Sequence, residues 1–174
     1  MFRQGMPWLL RRIERPSKWR MATVESADIS EVFASLPEDI SVYQVATDIQ
    51  EAEVAAALWL TKGASLKDLM HLLRISVEDV AAAGLQVKET SGVTDVRHID
   101  VMHRDLVGDL AMFRGLARQI VARSRAGEDT VRTVAGQGLS QRIADFLESG
   151  DIGESSIQKG KKALEKADQT WPRQ

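Results

Sequence analysis

The chain has 174 residues, of which 44% are hydrophobic and only 5% aromatic, and its formal net charge is −2. This length allows one moderate hydrophobic core, and the many Ala, Leu, Glu, Arg and Lys residues favour helices over strands. There is no cysteine, which excludes disulfides and thiolate nucleophiles and fits a cytoplasmic protein.

The first 20 residues carry six Lys or Arg against one acid, a net charge of +5 that leaves −7 for the rest. This basic arm, residues 1–21, is open to three interpretations: a targeting segment, an amphipathic helix on a membrane surface, or a nucleic-acid-binding tail. A fourth interpretation makes Met21 the natural start and the preceding residues upstream sequence. No apolar run in the chain approaches the roughly 20 residues needed to span a bilayer.

The next elements are a possible strand and a helix. Residues Ile40–Ala46 alternate weakly and are β-branched at three positions, which predicts a short strand or an extended linker. Thr47 and Gln50 form a capping box, so a helix is expected to begin there and to end before Gly63.

Two similar helix-start signals follow, Ser65–Asp68 and Ser76–Asp79. In each signal the serine can cap the first turn of a helix, which predicts helices over Leu66–Leu73 and Val77–Ala83. Gly84 then ends the second helix. Two short helices joined by three residues cross steeply, and this is the outline of a helix-turn-helix.

From Thr94 to Arg125 the apolar residues are spaced three and four apart, which predicts one long helix of roughly 45 to 50 Å with a heptad seam. His103 is a polar residue on this seam, where such residues can set register or oligomer state. The seam predicts a coiled-coil or bundled homo-oligomer. The predicted oligomerisation residues are Ile99, His103, Leu106, Leu110, Phe113 and Ile120.

Shorter helices are expected over Thr130–Ala135 and Leu139–Leu147, folding back on the long helix, and a lysine-rich helix or tail over Ser156–Thr170. The predicted fold class is therefore all-α. A helix-turn-helix domain at residues 22–90 is followed by a helical oligomerisation stalk at 93–150 and a basic tail at 151–174.

Catalytic and cofactor-binding constellations are scarce. His98 and His103 are five residues apart and would point to different faces of a helix, which argues against a metal site. Gly136-Gln137-Gly138 lacks the preceding strand and the lysine of a phosphate loop. The sequence predicts a non-enzymatic protein with no metal and no cofactor.

Thr61–Val87 resembles the helix-turn-helix superfamily, with apolar residues at the positions that pack the motif, although Arg74 stands where a turn glycine is common. These apolar residues are Leu69, Leu73, Ile75 and Val80. The whole-chain architecture is similar to the small terminase subunits of tailed phages, and this resemblance implies a ring that engages DNA for packaging. Winged-helix proteins of chromosome segregation resemble Ala57–Gly84 about as well.

The second helix of the motif would present Glu78 and Asp79 but no basic side chain, which is a poor surface for reading DNA. The first functional hypothesis is an oligomeric protein that binds double-stranded DNA, either terminase-like or a transcriptional regulator. The second is an adaptor that uses the motif to contact another protein, and a weaker third is attachment to a membrane surface. The cations expected to contact DNA are Arg11, Arg12, Arg15, Lys62, Lys67, Arg74, Lys161 and Lys162.

Overall fold

A computed structural model describes residues 6–14, 16, 19, 39–62 and 69–168. These residues form a mixed α/β fold, so the prediction of an all-α protein is wrong. The strands are β1 (Trp8–Ile13), β2 (Asp39–Val45), β3 (Leu69–Ser76), β4 (Gln86–Glu89), β5 (His103–Val107) and β6 (Val131–Ala135). The helices are α1 (Asp48–Lys62), α2 (Val77–Ala82), α3 (Arg97–Asp100), α4 (Leu110–Arg125), α5 (Ser140–Ser149) and α6 (Glu154–Asp168), with a 3₁₀ turn at Gly136–Leu139.

The strands make one sheet in the order β4-β5-β2-β1-β3-β6, with every neighbouring pair antiparallel. Its two faces pack into separate hydrophobic clusters. Face A, which carries Trp8, Leu10 and Tyr43, packs against α1, α3, α5 and α6. Face B, which carries Leu9 and Val42, packs against α2 and α4.

β1 is one of the two central strands of the sheet, and it lies in the segment predicted as a basic arm. Trp8, Leu9 and Leu10 are all buried, because helices cover both faces of the sheet and an alternating pattern is not needed there. Residues 8–13 pair with β3, and residues 8–10 also pair with β2. Residues 8–13 therefore form a strand of the folded core, and the interpretation of this segment as a surface helix is wrong.

The described residues do not form the predicted helix-turn-helix, because Leu69–Ser76 is a strand where most of the first helix, Leu66–Leu73, was expected. Leu72 lies in the cluster on face A and Leu73 in the cluster on face B. An apolar run buried on both sides of a sheet resembles one turn of a buried helix, so periodicity alone cannot separate the two.

The second predicted helix is confirmed as α2. The side chain of Ser76 accepts a hydrogen bond from the backbone N–H of Glu78 at 3.2 Å, and Gly84 follows the helix with a φ of +79°. The first of the two helix-start signals begins at residue 65, outside the described residues.

The predicted long helix over Thr94–Arg125 is also wrong, since this segment contains α3, β5 and α4. In β5, His103 and Leu106 are three residues apart and so point to opposite faces of the sheet. After β5 the chain starts a new helix, and the Asp109 side chain caps it by accepting from the Met112 N–H at 2.9 Å. No continuous seam exists for a coiled coil in this segment.

Several local predictions are confirmed. The strand predicted over Ile40–Ala46 is β2, shifted by one residue to Asp39–Val45, and the helix predicted from Thr47 is α1. The capping box is formed, with Thr47 Oγ1 accepting from the Gln50 N–H at 3.2 Å. The helix predicted over Thr130–Ala135 is instead the edge strand β6, whereas α5 and α6 occupy the later predicted helices.

Among the described residues, none of the helices has both the length and the apolar character needed to cross a membrane.

Candidate anion-binding surfaces

Helix α4 contains four arginines and no acidic residue. At 100° per residue, Arg114, Arg118 and Arg125 fall within an arc of about 40° on one flank of the helix. We call these three residues the arginine stripe. Arg118 and Arg125 are exposed and Arg114 is half-buried.

The fourth arginine of α4 is neutralised. Arg123 donates to Asp79 at 2.5 and 2.9 Å and to Glu128 at 3.1 Å. The hydrogen bonds to Asp79 raise the pKa of Arg123 above its ordinary value. This cluster connects α2 to α4. It engages Asp79, one of the two acids that would have faced DNA in a helix-turn-helix.

The arginine stripe has no such partners. Within residues 6–14, 39–62 and 69–168, no carboxylate pairs with any of its three guanidinium groups, and Arg114 Nε is buried without a hydrogen-bond acceptor. Arg123 marks the flank of α4 that faces α2, and it lies roughly 160° around the helix from the middle of the stripe. The stripe is thus separated from the acids of α2.

Arg11 adds positive charge on face B, the face that α4 covers. Its side chain lies on the same side of β1 as Leu9, and its NH1 donates to the backbone oxygen of Ser41 at 3.1 Å. Burial lowers the pKa of Arg11, but a guanidinium remains charged at neutral pH.

Arg74, predicted to contact phosphate, is instead buried on face A. It donates to Glu51 at 2.8 and 2.9 Å and reaches Asp48 and Asp129 at 3.2 and 3.3 Å. Trp8 Nε1 also donates to Glu51, at 2.9 Å. Because these carboxylates neutralise its charge and only 7% of Arg74 is exposed, this arginine is not accessible to a nucleic acid.

The other predicted cations are dispersed. Lys161 and Lys162 are exposed on α6, in the helical layer of face A and therefore opposite the arginine stripe. Lys62 ends α1, but its side chain lies outside the described part of the chain, as do Arg15 and Lys67 entirely.

Five of the six predicted oligomerisation residues belong to the core of a single chain. The exposed fraction of each is at most 6%, whereas Leu110 is 43% exposed. The buried residues are Ile99, His103, Leu106, Phe113 and Ile120. Their spacing reflected burial in two separate clusters rather than a seam between chains.

The half of face A formed by β1, β2, β5 and β4 carries a row of polar residues that were not predicted to lie together. Strand pairing places Ser41, Asp105 and Lys88 side by side on this face, and Arg12 lies on the same face of β1, two residues beyond Leu10, which pairs with Tyr43. We call this row the polar floor. Ser41 and Lys88 are exposed and Arg12 and Asp105 are half-buried, so the row is open to solvent.

A buried aromatic wall borders the polar floor. The rings of Tyr43 and His103 meet edge to face, with centroids 5.1 Å apart, and His103 Nδ1 lies 2.7 Å from Thr90 Oγ1. Burial, with the nearby charge of Asp100, raises the pKa of Tyr43 to about 12. The phenol is therefore protonated at neutral pH.

A second polar cluster joins the loop before α3 to the segment before α6. Asp151 accepts from the backbone N–H of His98 and contacts its Nδ1, so it caps α3. Asp95, which has a φ of +63°, is hydrogen-bonded by the hydroxyls of Ser155 and Ser156. We assign this cluster a structural role. Among the described residues, no three His, Asp or Glu side chains are grouped so as to hold a metal ion.

Comparison of the chain with protein-family models, with curated proteins and with solved structures gives no match. The arginine stripe was nevertheless detectable in the sequence, because residues 110–125 include four arginines and no acid. The polar floor was not detectable, since its residues come from strands whose pairing a single sequence does not reveal.

Proposed function

We propose that the protein binds the phosphate backbone of double-stranded DNA through the arginine stripe. The observation that carries this proposal is the set of three arginines on one flank of a helix without acids, with no carboxylate partner among the described residues. Soluble surfaces usually intersperse both signs of charge, whereas this flank carries one sign in a chain whose net charge is negative. Such a flank can displace counterions from DNA.

This proposal keeps DNA as the partner but changes the surface and the mode of recognition. Without a recognition helix, binding is expected to depend on phosphates and to show little sequence preference. Three neutralised phosphates predict a slope of log affinity against log salt of about −2.7, or roughly a 40-fold loss between 50 and 200 mM salt. DNA binding and the absence of cysteine together lead us to propose a cytoplasmic location.

Fluorescence anisotropy of a labelled duplex of about 20 base pairs tests the proposal at these salt concentrations. Replacing Arg114, Arg118 and Arg125 together with Gln should lower affinity and reduce the slope by nearly three. The matched control replaces Lys159, Lys161 and Lys162 on α6 with Gln, which changes the net charge equally. A larger loss in the lysine variant, or a salt-independent affinity of the wild type, would reject the stripe as the DNA-binding surface.

Self-association is a second candidate property. The surface that we propose for it is the exposed edge strand β4, in place of the predicted helical stalk. All four residues of β4 are exposed, including Val87 at 40%. Antiparallel pairing of β4 with a second copy would place Val87 against its counterpart and double the number of arginine stripes. Sedimentation velocity of the wild type and of Val87→Lys tests this pairing; a wild type that stays monomeric at tens of micromolar, an order-of-magnitude choice, would exclude it.

We do not propose an adaptor that uses a helix-turn-helix, because Leu69–Ser76, which the adaptor hypothesis placed in that motif, is a strand.

A further inference from the structure

We propose that the polar floor binds a small zwitterion of the α-amino-acid class, with the ligand carboxylate on Arg12 and its ammonium group on Asp105. This site lies on face A, on the opposite side of the sheet from the arginine stripe, so it does not depend on DNA binding.

The first support is the state of Arg12. Its NH1 is buried and has no hydrogen-bond partner, although the residue as a whole is only half-buried and lies on the same face of the sheet as the exposed Ser41. Buried donors in proteins are nearly always paired, and leaving one unpaired costs roughly 1 to 3 kcal/mol. A planar guanidinium matches a carboxylate through two parallel hydrogen bonds, so a carboxylate is the complementary group.

The second support is the state of Asp105. It accepts one long hydrogen bond, 3.4 Å from Ser41 Oγ, and His103 Nε2 lies 3.9 Å away, beyond hydrogen-bond distance. An ionised carboxylate has about four acceptor positions, so most of its capacity remains for a donor. A ligand ammonium would supply three donors and the opposite charge.

The spacing of the two groups limits the size of the ligand. Arg12 and Asp105 are separated by one intervening strand, so their backbones are about 10 Å apart. Their side chains occupy part of this distance, which leaves room for a molecule whose charged groups are a few bonds apart. Asp105 opposes the binding of an anion alone, and Arg12 and Lys88 oppose the binding of a cation alone.

Nuclear magnetic resonance of the full chain, labelled with ¹³C and ¹⁵N, tests this site. Glycine is the probe, titrated to about 20 mM because a single small ligand is expected to bind in the millimolar range. We expect saturable shifts of the Arg12 Nε resonance and of the Asp105 side-chain carboxyl. Acetate and methylammonium, each carrying one of the two charges, should bind at least about tenfold more weakly.

Two variants and a control complete the test. Arg12→Met keeps the aliphatic stem but removes the guanidinium, and Asp105→Asn removes the charge while keeping the shape; each should weaken glycine binding at least about tenfold. Arg97→Met, at an exposed arginine outside the floor, should not change it. Unchanged backbone spectra away from the floor will show that the variants fold.

No shift of Arg12 up to the highest glycine concentration would overturn the site. Equal binding of acetate and glycine would overturn the role of Asp105 and, with it, the assignment to a zwitterion. Retained affinity in Arg12→Met would also reject the proposal, since the guanidinium is the group that it requires.

Discussion

The buried network around Glu51 is expected to be the most sensitive polar feature of the fold. Glu51 accepts from Trp8 and twice from Arg74, and it lies 3.5 Å from Arg132. Replacing it with Gln keeps the size of the side chain but leaves the buried cation Arg74 without its principal counter-charge. Breaking a buried ion pair in this way typically costs about 3 to 5 kcal/mol.

Arg74 keeps two exposed carboxylate partners in this variant, Asp48 and Asp129, so we expect a cost near the lower limit. A loss of about 3 kcal/mol reduces the folding equilibrium constant roughly 150-fold and lowers the urea midpoint by about 1.5 M if the slope is about 2 kcal/mol per molar. Urea unfolding followed by tryptophan fluorescence measures this change.

Glu53→Gln is the matched control, because Glu53 lies in the same helix and pairs with no described residue. It should change the free energy of unfolding by less than about 0.5 kcal/mol. The double variant Glu51→Gln with Arg74→Met should recover part of the loss, since no buried charge of the pair is then unmatched. If Glu51→Gln costs less than about 1 kcal/mol, the network contributes little and the reasoning is refuted.

Three further results are expected. Tyr43 is the single tyrosine, so the absorbance of its phenolate reports on this residue alone. Its pKa should be about 12 in the folded chain and near the ordinary value of 10.0 in urea, so stability should fall as pH rises from about 10 towards 12. A titration midpoint near the ordinary value of 10.0 in the folded chain would contradict the burial of Tyr43. Burial opposes ionisation of Asp151, but hydrogen bonds with His98 outweigh it and lower the Asp151 pKa. Stability that is present above the ordinary pKa value of 3.8 should therefore be lost as pH falls below that value, and Asp151→Asn should lose less stability over the same pH range. Leu110→Asp should change thermal stability little, whereas Phe113→Asp should unfold the chain, because the new charge would be buried on face B. A folded Phe113→Asp variant with a melting temperature close to that of Leu110→Asp would contradict the burial of Phe113.

Local signals in the sequence were reliable where the relevant interactions are local. The capping residues Thr47 and Ser76 correctly marked the beginnings of α1 and α2, and Gly84 marked the end of α2. Each of these signals depends on hydrogen bonds or dihedral angles within a few residues. Such interactions are encoded in the segment itself and do not require knowledge of what packs against it.

The strands were missed because their partners lie far away in the sequence. Trp8–Ile13 pairs with residues about 30 to 70 positions later, and its apolar residues face both ways. The heptad spacing of Ile99, His103 and Leu106 arose by coincidence. Ile99 lies in the short helix α3, whereas His103 and Leu106 lie on opposite faces of β5. Only its later part, from Phe113 to Ile120, reflects one helix face.

β1 also determines which cation reaches each surface, since it places Arg11 on face B and Arg12 on face A. A shift in register of one residue would exchange the two arginines and turn every side chain of the strand to the other face. The hydrogen bond from Trp8 to Glu51 opposes that shift, because it is possible only when the indole lies under α1 on face A. This hydrogen bond therefore supports the register that places Arg12 on face A, in the polar floor, and Arg11 on face B.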